Sequence, residues 1–157
     1  MTSPETVHAV TDLSSSEYLT GRLQQVFGSL RDTTPAELAS LYAADVYFED
    51  PSHGIQGRDA LVRYFSSLLE NVEQCRFRIH HSIGDGSNVF LTWSMHIKHN
   101  RLLAGDTIRV EGSSYLKTRN GQIYYHRDYY DMGALLYEHV PVLGKFVREL
   151  KDRVGKS

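Results

Sequence analysis

Four side chains in this sequence have both the type and the placement to move protons. Asp128 sits inside Tyr124-Tyr125-His126-Arg127-Asp128-Tyr129-Tyr130, a run otherwise suited to a strand, where aspartate is disfavoured. A carboxyl held among large aromatics suits acid/base work. His126 lies two residues before it and therefore on the same strand face, and imidazole is the side chain best poised for proton transfer near neutrality. His96 occupies a second strand-like run, in the row Phe90, Thr92, Ser94, His96 and Lys98. Asp50 ends Val46–Glu49 just before Pro51, where it either caps a turn or serves as a second base. Tyr18, Tyr64, Tyr115 and Tyr130 carry hydroxyls that can meet a ligand oxygen, and His53 falls in the loop after Asp50. Other chemistries find little support. The histidines and aspartates lack metal-ligand spacing, so no metal or cofactor is expected. Nothing near Cys75 in sequence activates its thiol, and no glycine loop is built to cradle phosphate.

The elements that must position these groups can be read from periodicity. Residues 1–16 are polar and rich in Ser and Thr, and read as a mobile lead before one domain spanning 17–157. Glu17 to Leu30 has helical apolar spacing, with Ser16 as its cap. Thr34-Pro35-Ala36-Glu37 is a capping box with proline at the first helical position, opening a helix expected to end near Asp45. Gly57-Arg58-Asp59 opens a third helix through Leu69. The period then drops to two for four strands, at 74–83, 88–99, 106–118 and 122–130. Asn120-Gly121 makes the last hairpin turn. A closing helix covers about 133–153, with a break near Pro141. Helices followed by a run of strands indicate an α+β fold.

Both faces of the strands carry large side chains. Leu91, Trp93, Met95 and Ile97 form one apolar row, opposite the row that holds Ser94 and His96. The expectation is that His96, His126 and Asp128 face inwards, while Trp93, Met95 and Ile97 form an outer face buried in a homodimer.

Composition bounds the function. The 157 residues carry a net charge of -2, which offers no basic field for nucleic acid. The N-terminal stretch has no signal-peptide pattern and no run reaches the ~20 apolar residues of a membrane span. One cysteine cannot form an internal disulfide, so a reducing, cytoplasmic setting is expected.

Three stretches together resemble the SnoaL-like branch of the nuclear transport factor two-like superfamily, which includes polyketide cyclases, limonene epoxide hydrolase and ketosteroid isomerase. They are Leu41 to Pro51, Gly57 to Leu61, and Gly121-Gln122-Ile123 with His126 to Asp131. The resemblance covers about 17–137. It implies a cone-shaped, curved antiparallel sheet wrapped around three N-terminal helices, with a pocket in the wide end. It places Asp50 at the isomerase's general base, but the oxyanion-hole positions fall on Val26 or Phe27 and on Ser113, so isomerase activity on steroids is not expected. It places Asp128 at one carboxylate of the epoxide hydrolase, whose other two positions fall on Ser94 and His96. A cyclase-type acid/base carboxylate near Asp128 remains compatible. The resulting expectation is an acid/base enzyme without a cofactor, acting on a small apolar, oxygen-bearing molecule. Asp128, Asp50, His126 and His96 would do the chemistry, within walls formed by Tyr18, Phe27, Tyr64, Ser94, Ser113, Tyr115 and Tyr130. A non-catalytic binding module and a dimeric adaptor are the alternatives.

Overall fold

Asn120 and Gly121 take left-handed φ angles of 53° and 73°, as a two-residue hairpin turn requires. They join strand β5 (Thr107–Arg119) to β6 (Gln122–Tyr130). Before these come α1 (Glu5–Phe27), a short 3-10 turn, α2 (Pro35–Ser40), β1 (Tyr42–Glu49), β2 (Gly54–Gln56), α3 (Arg58–Leu68), β3 (Val72–Gly84) and β4 (Asn88–His99). After them come α4 (Met132–Leu135), a 3-10 turn (Tyr137–His139) and α5 (Leu143–Val154). The computed structural model describes residues 5–100, 105–139 and 143–155. Pro141, the expected break in the closing helix, lies outside the described residues.

The six strands form one curved sheet in the order β2-β1-β6-β5-β4-β3. Its long neighbours are antiparallel, but β1 runs parallel to β6, pairing Phe48 with His126 and Glu49 with Arg127. The α+β class therefore holds, while the sheet is mixed rather than wholly antiparallel. Leu19, Leu23, Val26 and Phe27 of α1 and Leu61 and Phe65 of α3 fill its concave side, against Leu91, Trp93 and Leu116.

Three element boundaries differ from the sequence reading. Helix α1 begins at Glu5, so Ser16 is not a cap. Buried mid-helix, its Oγ instead accepts from the Gly86 N–H at 3.0 Å. Helix α2 stops at Ser40 and strand β1 starts at Tyr42, because Tyr42, Ala43 and Val46 are claimed by the sheet and core. Thr34 and Glu37 do form the reciprocal cap, with Thr34 N–H donating to Glu37 at 2.8 Å. The closing region is two short elements and then α5, which packs on the 3-10 turn Tyr137–His139.

Two bulges decide which side chains look inwards. In the β5–β6 hairpin Thr118 pairs with Ile123 but Lys117 pairs with Tyr125, leaving Tyr124 as an extra residue. Ile123 and His126 therefore share the concave face although they are three apart. In β3, Ile79 pairs with Trp93 and His81 with Thr92, so His80 is likewise extra.

Candidate functional site

The concave face encloses a cavity of about 310 Å³. Most of its wall is apolar, contributed by Phe48, Phe65, Phe77, Trp93, Met95 and Ile108 among others. Its polar groups include Asp50, Tyr64, Asp128 and Tyr130. A hollow of about 40 Å³ adjoins Asp128 and His126 and is partly walled by Phe27.

Asp128 is held through a single oxygen. Trp93 Nε1–H donates to Ser114 Oγ at 2.8 Å, and indole can only donate, so the Ser114 hydroxyl proton is directed to Asp128 Oδ1, 2.5 Å away. His126 Nε2 lies 2.7 Å from the same Oδ1, and its Nδ1 lies 2.9 Å from Tyr42 Oη. Tyr42 is fully buried, and burial, with the nearby Asp128 charge, raises its phenol well above the usual value. The phenol therefore stays protonated; with the His126 proton on Nε2, facing the carboxylate, Tyr42 donates to Nδ1 of the neutral ring. Tyr42 stacks on the His126 ring, and Phe48 meets it edge-on with centroids 5.1 Å apart. With Oδ1 occupied by Ser114 and His126, Oδ2 is the oxygen available to exchange a proton.

Asp50 does two jobs. Its Oδ1 accepts from the Ser52 and His53 N–H groups, both at 2.7 Å, which is the turn cap that Asp-Pro suggests. Its Oδ2 accepts from the Tyr64 hydroxyl at 2.6 Å. Burial first, and then the Asp50 charge, push the Tyr64 and Tyr130 phenols well above their ordinary value. Both phenols thus remain protonated beside the two carboxylates. His53 Nδ1 lies 3.1 Å from Tyr64 Oη at the exposed edge.

The structure brings Asp50, Asp128, Tyr64 and Tyr130 to one cavity, with His126 behind Asp128. It does not bring His96 there. The apolar row of β4 is the cavity wall, so Trp93, Met95 and Ile97 face inwards and cannot form the outer dimer face expected of them. His96, Ser94, Ser113 and Tyr115 are consequently on the convex side. His96 is exposed opposite Arg109, Ser94 is paired with His80 at 2.9 Å, and Tyr115 donates to Asn88 Oδ1. Tyr18 is 69% exposed on α1. Sequence reasoning missed Tyr42, Trp93 and Ser114 as positioning groups. The hairpin register carries a signal for Ser114, but only once the Tyr124 bulge is known. Among the described residues no three His, Cys, Asp or Glu side chains gather as a metal site.

A sequence profile of the SnoaL-like domain matches residues 23–126. Several solved structures share the fold. A candidate SnoaL-like polyketide cyclase from Jannaschia sp. CCS1 has a TM-score of 0.68 at 12% identity, covering 78% of this chain and 90% of its own. An epoxide hydrolase of M. tuberculosis, similar to limonene epoxide hydrolase, has a TM-score of 0.64 at 15% identity, with 92% and 98% covered. A hypothetical protein from Catenulispora acidiphila with a ketosteroid isomerase-like fold, in complex with trimethylamine, has a TM-score of 0.67 at 19% identity, with 75% and 88% covered. A search of curated proteins finds no match.

Proposed function

The chain belongs to the SnoaL-like domain family, and from that premise we propose that it binds a small apolar, oxygen-bearing molecule and performs acid/base chemistry on it without a cofactor. One observation carries this reading: Asp128 is fixed at Oδ1 by Ser114 and His126, so its exchangeable proton belongs to Oδ2, and its side chain lines a largely apolar cavity. Asp128 takes a proton from a ligand carbon or hydroxyl, or from an attacking water, and returns it at another ligand position or to a departing hydroxyl, which covers isomerisation, cyclisation, water addition and dehydration. His126 positions the carboxylate. Asp50 anchors Tyr64 by accepting from its hydroxyl, which leaves the Tyr64 oxygen to accept from a ligand hydroxyl.

The test is a thermal-shift panel of steroids, aromatic polyketides, terpenoid epoxides and fatty acids. A ligand at ~100 times its Kd adds about 2.7 kcal/mol to stability. Turnover of a binding ligand should vanish in Asp128→Asn while binding persists. A ligand that binds but that the wild type never turns over would refute the enzymatic reading in favour of a storage or presentation module.

We also propose a homodimer through the convex face. The residues now on that face include Ile83, Phe90 and Tyr129, 77%, 44% and 44% exposed, and the Tyr47–Tyr125 stack. Sedimentation of Phe90→Glu beside the wild type tests it: a wild-type monomer at micromolar concentration refutes it.

A further inference from the structure

The cavity carries negative charge and no lysine or arginine to balance it. Asp50 and Asp128 both line it, while among the described residues neither basic type does. Every donor that holds the two carboxylates is neutral. Asp50 takes two backbone N–H groups and the Tyr64 hydroxyl, and Asp128 takes the Ser114 hydroxyl and the Nε2–H of the neutral His126. The ionisable nitrogens on the wall are imidazoles, at His53 and His99. His53 Nδ1 stands 3.5 Å from Asp50 Oδ1, on a side chain half in solvent. Both carboxylate charges act on the Tyr64 and Tyr130 phenols, so they serve one region of the cavity.

We propose that the ligand of this cavity carries a protonated amine, held beside Asp50 and Asp128 with its apolar body against the aromatic wall. A cleft lined by one sign of charge, with low-dielectric walls, concentrates the opposite ion. The wall selects which ion. Phe48 packs on Tyr64 with centroids 5.9 Å apart, and Phe77, Trp93 and Tyr130 follow one another at 5.1 and 6.1 Å, so touching rings line the space. Aromatic faces attract alkylammonium groups. A hard metal ion instead needs about six oxygen ligands, and among the described residues no three His, Cys, Asp or Glu side chains gather.

Hydrogen bonding points the same way. A carboxylate has about four acceptor sites, and three are filled at Asp50 and two at Asp128. The unfilled sites take N–H donors, whereas a ligand carboxylate brings a third negative charge. The proposal rests on the small-molecule reading of the cavity and narrows it: the oxygen-bearing ligand is also an amine. Asp50 is then its standing charge partner, and Asp128 keeps the proton transfer.

Calorimetric titration of the full chain with three compounds that share one phenylcarbinol body tests this. Phenylethanolamine, styrene glycol and mandelate are cation, neutral and anion at neutral pH. The amine should bind at least about tenfold more tightly than the glycol, because charge-assisted hydrogen bonds are about twice as strong as neutral ones. Mandelate should show no binding at millimolar concentration. Asp50→Asn and Asp128→Asn, each with its Tm checked, should lower the preference for amine over glycol at least about threefold by removing one charge. Either variant suffices if the other does not fold. A glycol that binds as tightly as the amine, a preference that survives in the folded variants, or an amine that does not bind overturns the proposal. Turnover separates it from the acid/base reading. A glycol that outbinds the amine and is converted in an Asp128-dependent way overturns only the amine assignment. An amine bound through both carboxylates but never converted overturns only the chemistry.

Discussion

Gly112 is the most demanding position around the site. It faces inwards on β5, directly across from Trp93 on β4 and Tyr130 on β6. A Cβ at this residue would come within 2.6 Å of Trp93 Cζ2, closer still to Cη2, and within 2.8 Å of the Tyr129 carbonyl oxygen. Carbon atoms prefer roughly 3.5–4.0 Å, so in Gly112→Ala the indole must shift by about 1 Å. That shift breaks the 2.8 Å bond from Trp93 to Ser114, and with it the constraint that turns the Ser114 proton towards Asp128. Overpacking and a lost buried hydrogen bond together cost about 2–4 kcal/mol. At about 2–4 °C per kcal/mol for a chain of this size, the Tm should fall by roughly 4–16 °C. Trp93 is the single tryptophan of the chain, so its emission reports the site directly. Gly112→Ala should shift that emission in the native state and lower the Tm in the same sample. A variant with the wild-type Tm and an unchanged spectrum would refute the packing of Trp93 over Gly112 and the relay built on it.

Two further outcomes follow from the buried titratable groups. The folded state holds the Tyr42, Tyr64 and Tyr130 phenols above their ordinary value of about 10, chiefly by burial. Their contribution to stability is complete below that pH and is lost as the pH rises above it, when only the unfolded chain ionises. Denaturant midpoints should therefore fall between pH 9 and 11, about one unit either side of that value; a flat or rising profile contradicts the assignment. Burial pushes the Cys75 thiol up to about 12, and the side chain is only 4% exposed. A thiol reagent at neutral pH should label native protein only at the rate of opening, and rapidly once denaturant is added. Fast stoichiometric labelling of the native state would show that the cavity wall at Cys75 is open.

Local chemistry was legible wherever neighbouring residues decide the outcome. The Thr34–Glu37 cap, the Asn120-Gly121 turn, the glycine before α3 and the four long strands need only nearby residues, and each stands where its sequence signal put it. Asp50 and Asp128 stood out because a carboxylate at a strand end or mid-strand conflicts with its surroundings, and both reach the cavity. Facing was the part that misled. Strict pairing outward from the Asn120-Gly121 turn sets Ser113 across from Asp128 and Tyr115 across from His126. The single extra residue at Tyr124 moves those places to Ser114 and Leu116. A bulge costs one residue of register and reverses every side chain beyond it, yet leaves almost no mark on composition.

The β4 rows were inverted for a related reason. An apolar row such as Trp93, Met95 and Ile97 is compatible with a dimer face or with a cavity wall, and only the helices packed on the concave side choose between them. That choice carried His96 and Ser94 out of the site and brought Trp93 in. Tyr42 was read as the end of a helix, because its local spacing is helical. Pairing with β6 made it a strand residue, and only there does its hydroxyl reach His126. Sequence thus determined the elements, their turns and the carboxylates that do not fit a bland strand, since these depend on neighbours in the chain. The tertiary structure decided which face is inside and which groups hold Asp128, because register, bulges and helix packing join residues that are distant along the chain.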